Sequence, residues 1–187
     1  MKQFLYYDTE TFGTEDLRKV GSYKYADNNM EIMIVAYALG EQPVQTWDVS
    51  NHPEPMPKDL KDAFDNPDYM IIAHNAPFDR IQTDAFFQKI PVERWHCTMA
   101  QALSHGLPAS LDMLGKVLGL SDDTKKMDAG KKLINKFCKP APNSHRATRY
   151  TKANAESDWS DFVEYARRDV EALREIHKRL PTWNYYL

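Results

Sequence analysis

Residues 69–81 read YMIIAHNAPFDRI, and the change of character inside that stretch sets the fold. YMIIAH (69–74) opens with a short apolar run that reads as a buried strand. The run ends in His74, Asn75, Pro77, Phe78 and Asp79 rather than in a simple turn. Ile81, Ala85 and Phe86 then recur at helical spacing, so a helix is expected over 79–88. A strand that passes straight into a helix belongs to an α/β sheet, and such sheets place ligands at strand ends. Asn75 can donate a hydrogen bond, Phe78 can stack on a base or ring, and Asp79 brings a carboxylate to the same corner.

Working outward, QFLYYD (3–8) and MEIMIVAYAL (30–39) read as strands, the second β-branched, apolar and central. VQTWDV (44–49) follows the turn signal GEQP and makes a hairpin partner. A Pro-rich loop leads to a short helix at 58–65, and ERWHC (93–97) is a short strand before a helix at 98–104. Ser110 is a suitable N-cap for LDMLGKVLGL, whose positions 111, 114, 117 and 118 form one apolar face. A basic helix is expected at 128–138 and a loop at 139–150. In the last helix Val163, Ala166, Val170, Leu173, Ile176 and Leu180 recur at three and four, Pro181 ends the run, and Ser157 or Asp158 would cap the start. Trp47, Trp95, Trp159 and Trp183 are expected to pack, Met99 and Met113 to lie in the core, and His74 to be structural. This order predicts a single domain over 1–187: a mixed α/β sheet whose first strands form an antiparallel meander.

Composition narrows the class. The chain has 187 residues, 42% hydrophobic and 27% charged, as in globular proteins. MKQFLYYDTE carries no apolar leader, and no apolar run approaches the roughly 18 residues of a membrane span. Cys97 and Cys138 match no metal spacing and are expected as reduced thiols in a cytoplasm. The net charge is −3, yet residues 124–152 hold nine Lys or Arg and one acid, Asp128. Such a run is either a solvated face or a local phosphate-contacting patch.

Three carboxylate motifs stand apart. In DTET (8–11) Asp8 and Glu10 are i and i+2 on a strand and project side by side. In YARRD (165–169) Tyr165 and Asp169 are i and i+4 and share a helix face beside the buried stripe. Asp79 supplies the third. Each alone is an ordinary surface pattern; together they offer four oxygen donors with no competing His/Cys set. Hard oxygen ligands select Mg²⁺ or Mn²⁺, and four carboxylates suit two ions about 3.5–4 Å apart.

DTE (8–10), NAPFD (75–79) and YARRD (165–169), in that order and spacing, resemble the three motifs of the DEDD superfamily of 3′–5′ exonucleases, over nearly the whole chain. The His-type branch would carry His where Glu164 stands, so Tyr165 marks the Tyr type. DLRKVGSYKYA, EIMIVAYALG, SLDMLGKVLGL and AGKKLINKFCKP are similar to the proofreading exonuclease domain of phage-type family A DNA polymerases. The resemblance implies a ribonuclease H-like fold, a five-stranded mixed sheet flanked by helices. It implies Asp8, Glu10, Asp79 and Asp169 as ligands of two divalent ions, Mg²⁺ or Mn²⁺, with Tyr165 orienting the attacking water. It implies that Asn75, Phe78, Thr9, Thr11 and Phe12 hold the 3′ end of single-stranded DNA, Phe12 as a wedge or as a plug beneath the loop. Lys125, Lys126, Lys131, Lys132, Arg146 and Arg149 would guide the strand. The length leaves no room for a polymerase, so the chain is either a piece of one, partnered by its polymerase domain, or a stand-alone nuclease. An RNase D-like or oligonucleotide-trimming exoribonuclease, and a silent binding module, are the alternatives.

Overall fold

The computed structural model describes residues 3–28, 30–51, 55–120, 124–145 and 147–183, and of residues 124–129 the backbone only. Its centre is strand β1 (Gln3–Phe12), longer than the expected 3–8 because the DTETF segment continues the pleat. β1 pairs antiparallel with β2 (Glu31–Leu39), which pairs antiparallel with β3 (Gln45–Asp48). On its other side β1 runs parallel to β4 (Tyr69–Ala73), and β4 parallel to β5 (Trp95–Cys97). The order β3-β2-β1-β4-β5 is the predicted five-stranded mixed sheet, consistent with the ribonuclease H-like fold.

One correction concerns the first crossover. Helix α1 (Leu17–Asp27) lies between β1 and β2, where the sequence shows no clear periodicity. The reason is visible in the helix: Gly21 at φ 77° kinks it, and Tyr25 is its buried residue. Elsewhere the elements fall close to expectation: α2 (Lys58–Asp65), α3 (Ala76–Phe86), α4 (Thr98–Ser104), α5 (Leu111–Val117), α6 (Thr124–Phe137) and α7 (Glu156–Arg179). Ser110 caps α5 by accepting from the Met113 amide. α7 begins earlier than expected, at Glu156, with Ala155 in the cap position. Asp158 instead pairs with Lys136 of α6.

Alternation along β1 divides the core between two faces. Tyr6 and Phe12 join Met33, Ile72, Phe137, Phe162, Val170 and Leu173 beneath α6 and α7. Leu5 and Tyr7 join Tyr25, Tyr37, Leu60, Phe64 and Ile71 on the opposite face. A third cluster of Ala102, Leu114, Ile176 and Leu180 fastens α4 and α5 to the end of α7. Burial of these apolar faces supplies the driving force for the three layers. Met113 and Trp183, expected inside, are 49% and 65% exposed; the Trp183 ring makes a T-shaped contact with His105. His74 is structural as expected: its ring bonds Thr98 Oγ1 at 2.9 Å and the Ala109 carbonyl at 2.7 Å, tying β4 to the approach of α5.

Candidate active site

β1 outruns its parallel neighbour. Its pairing with β4 stops at Tyr6–Ile72, whereas its pairing with β2 continues to Phe12. The DTETF segment therefore extends past the end of β4, the position at which α/β sheets bind ligands. The ladder with β2 is irregular here: Glu10 faces Ile34 but Thr11 faces Ile32, so Met33 is bulged out. Bulges bend a strand pair and re-aim its side chains, and they recur beside functional sites.

The chain leaves β4 through Asn75, whose φ of 64° is the left-handed conformation that Asn tolerates better than most residues. This sharp turn starts α3 at once and carries Asp79 back over β1. Asp79 is only 2% exposed. Its Oδ1 accepts both the Thr9 amide (3.1 Å) and the Thr9 hydroxyl (2.7 Å). From the other face α7 brings Tyr165 and Asp169, one turn apart.

The four carboxylates act on one another. Burial pushes Asp8 up to about 6. Burial, then the charges of Asp8 and Asp169, hold Glu10 well above the usual carboxylate range. Asp79 is raised by burial and by Asp8, against the downward pull of its Thr9 hydrogen bonds. Asp169 rises to about 8 through burial and the charge of Asp8, with Tyr165 opposing and Asp112 of α5 adding to the rise. The Tyr165 phenol is raised by burial and by Asp169 and Glu10, so it stays protonated at neutral pH. Among the described residues, none of the four carboxylates has a Lys, Arg or His ion-pair partner.

That donor set fits divalent metal: hard oxygens, like charges gathered in one place and, among the described residues, no ion-paired cation. As the side chains stand, no three His, Cys, Asp or Glu among the described residues are spaced to grip one ion together.

Beside the carboxylates lies a cleft of roughly 630 Å³, lined among others by Thr9, Glu10, Thr11, Tyr25, Phe78 and Lys139. Thr9, Thr11 and Phe78 are therefore where substrate contacts were expected, but Thr9 also locks Asp79 and Thr11 bonds the Tyr25 hydroxyl at 3.2 Å. Phe12 packs as the plug reading expects: it is 9% exposed, sits in the core beneath α6 and α7, and is capped by the Arg149 guanidinium 3.8 Å from its ring centre. Asn75 is exposed and serves the turn. Of the basic residues, Lys131 and Lys132 are exposed, and Arg149 is held by Glu31 at 2.7 Å. The side chains of Lys125 and Lys126, and the whole of Arg146, lie outside the described residues.

Sequence reasoning missed Cys138, whose thiol donates to Glu10 Oε2 at 3.7 Å; a single cysteine in a basic stretch gives no signal of that contact. It also missed the Thr9 tie to Asp79, because those residues meet only through the β1–β4 pairing.

Comparison with known proteins agrees with this geometry. A family model described as 3′–5′ exonuclease matches residues 2–182. The DNA polymerase of Bacillus phage SP02 is 33% identical over 178 residues, covering 92% of this chain and 27% of that polymerase. The chain thus spans about a quarter of the length of this relative. A solved apo form of a nuclease shares the fold, with a TM-score of 0.50 at 17% identity over 94% of this chain and 70% of the other. Among the described residues no helix is long and apolar enough to cross a membrane. A match running from the first strand to the end of the last helix, over all three carboxylate motifs, places this chain in the 3′–5′ exonuclease family.

Proposed function

We propose that the chain removes nucleotides one at a time from the 3′ end of single-stranded DNA, releasing nucleoside 5′-monophosphates, through a Tyr-type site. The observation that carries this reading is the cluster of Asp8, Glu10, Asp79 and Asp169, whose charges raise one another and pair with no cation among the described residues. These residues would hold two divalent ions, Mg²⁺ or Mn²⁺. When bound, such ions supply Lewis-acid activation of the scissile phosphate and of the attacking water.

The chain's own groups have separable tasks. Thr9 occupies Asp79 Oδ1 with two donors, which fixes the carboxylate. Tyr165, whose proton is held by burial and by the charges of Asp169 and Glu10, would orient water by hydrogen bonding. The cleft floor of Thr9 and Thr11 and the Phe78 ring, tilted against Tyr25 at 6.2 Å, would receive the terminal nucleotide. A strand approaching four carboxylates is repelled until they are neutralised, and Lys131, Lys132 and Lys139 lie exposed on the adjoining helix and its end to offset that repulsion. The likeness to a phage DNA polymerase supports a proofreading setting, with a polymerase domain or subunit as partner.

The test is digestion of 5′-labelled single-stranded DNA and RNA, in parallel, with Mg²⁺, with Mn²⁺ and with chelator, beside Asp8→Ala. A metal-dependent ladder shortening from the 3′ end of DNA, lost in the variant, is the expected result. Equal or better cutting of RNA would replace DNA by RNA as the substrate; full activity in Asp8→Ala would remove the metal assignment.

A further inference from the structure

α6 contains a single glycine, Gly130, in the interior of the helix. Glycine is a poor helix former beside alanine, so its presence there asks for another reason. The structure supplies one. A Cβ at position 130 would stand 2.3 Å from Cε2, 2.6 Å from Cδ2 and 3.2 Å from Cζ of Tyr165, where ordinary contact begins at 3.4 Å. The backbone of α6 therefore lies directly against the flank of the Tyr165 ring. Ile134 and Cys138 follow at i+4 and i+8 on the same side of the helix. Ile134 lines the cleft, and Cys138, just past the helix end, donates to Glu10. One face of α6 thus meets the site from the middle of the helix to just past its end.

We propose that Gly130 is a positioning residue for Tyr165: its missing side chain lets α6 close on the ring and so fixes where the phenol hydroxyl stands relative to Asp169. The effect on rate rests on the exonuclease reading above; the seat itself does not. A methyl group at 130 would displace the ring by about 1 Å, and misplacements of that size at a reacting centre cost on the order of 10²-fold in rate.

The experiment compares the wild-type chain with Gly130→Ala, Tyr165→Phe, Tyr165→Ala and the two double variants. It reads kcat and KM on labelled single-stranded DNA with Mg²⁺, and Tm by circular dichroism. Gly130→Ala is expected to lower kcat by about 10-fold or more, up to the about 50-fold loss of removing the hydroxyl itself, while KM stays within about 3-fold. Added to Tyr165→Phe, the same change should cost less than about 3-fold, since no hydroxyl remains to be misplaced. Added to Tyr165→Ala, it should raise Tm, because the helical preference of alanine is then unopposed. Folding of Gly130→Ala/Tyr165→Ala where Gly130→Ala alone does not fold would uphold the seat equally. Retained kcat in Gly130→Ala, or an undiminished loss in the Tyr165→Phe background, would overturn the proposal. Should the wild-type chain cut neither DNA nor RNA, the exonuclease reading falls, and the Tm comparison decides the seat alone: a gain in the Tyr165→Ala background upholds it, a loss overturns it.

Discussion

β1 and α7 face each other along their length, and the two halves of that contact solve burial in opposite ways. Toward the start of β1, the Tyr6 hydroxyl and His177 Nδ1 lie 3.1 Å apart, with Phe4 and His96 packed against the His177 ring. Burial, aided by His96, pushes His177 down to about 4. A neutral imidazole accepting from a phenol is complete as it stands and asks for no charge. Eight residues back along α7, about 12 Å by helical rise, Asp169 and Tyr165 meet Asp8 and Glu10. There burial pushes carboxylates up; Thr9, Cys138 and Tyr165 offer them neutral donors, but among the described residues no cation pairs with them. The same physics, disfavouring the charged form, gives a structural joint in one place and an unmet demand for cations in the other.

The sharpest way to break this comparison is at Asp8. Asp8→Ala should reduce metal-dependent cleavage by about 10³-fold or more, with the circular dichroism spectrum unchanged. Substantial activity in that variant would mean that the uncompensated end is not the catalytic one. Tyr165→Phe keeps the ring in its seat and removes only the hydroxyl; kcat should fall by about 10- to 50-fold, less than the loss of a true acid–base group. A fall as deep as that of Asp8→Ala would give the hydroxyl a chemical role beyond holding water.

Asp169→Asn separates stability from activity. An Asp whose folded pKa is about 8, against about 3.9 unfolded, contributes stability that is full below pH 3.9 and is lost as pH rises through 8. At pH 7.5 without metal the amide should therefore raise Tm, by about 3 °C or more for a chain of this size, while cleavage is lost. Mg²⁺ or Mn²⁺ should raise the Tm of the wild type and do so much less in the variant. A Tm at or below that of the wild type would show that the carboxylate is already satisfied.

The smallest effect is expected at the other end. His177, depressed to about 4 from about 6.5, contributes stability that is present above pH 6.5 and lost as pH falls through 4. His177→Gln should flatten the stability curve between pH 6.5 and 4 and leave kcat within about 2-fold at pH 7.5. An unchanged acid limb would assign that limb to His74 and His96, whose rings are also held down by burial.

Much of this was legible in the chain. The run 69–73 and the stripe Ala166, Val170, Leu173 and Ile176 announced a buried strand and a packed helix, because their periodicity is the burial pattern itself. DTE, NAPFD and YARRD named the carboxylates. α1 was not legible, since Gly21 breaks it and few of its side chains are buried. Phe12 was ambiguous because an aromatic at a strand end looks the same whether it plugs the core or meets a ligand; Arg149, more than a hundred residues away, caps its ring.

The sequence by itself determined which groups are present and on which kind of element each rides: two carboxylates on one strand face, one at a helix start, one a turn after a tyrosine. Only the tertiary structure decided that they meet. Asp79 reaches Thr9 because β1 and β4 are parallel and β1 runs on; Tyr165 sits against Gly130 because α6 packs on α7. Those relations depend on distances between segments about 35 to 160 residues apart, which local periodicity does not encode and which chain packing, by excluding water from both sheet faces, fixes all at once.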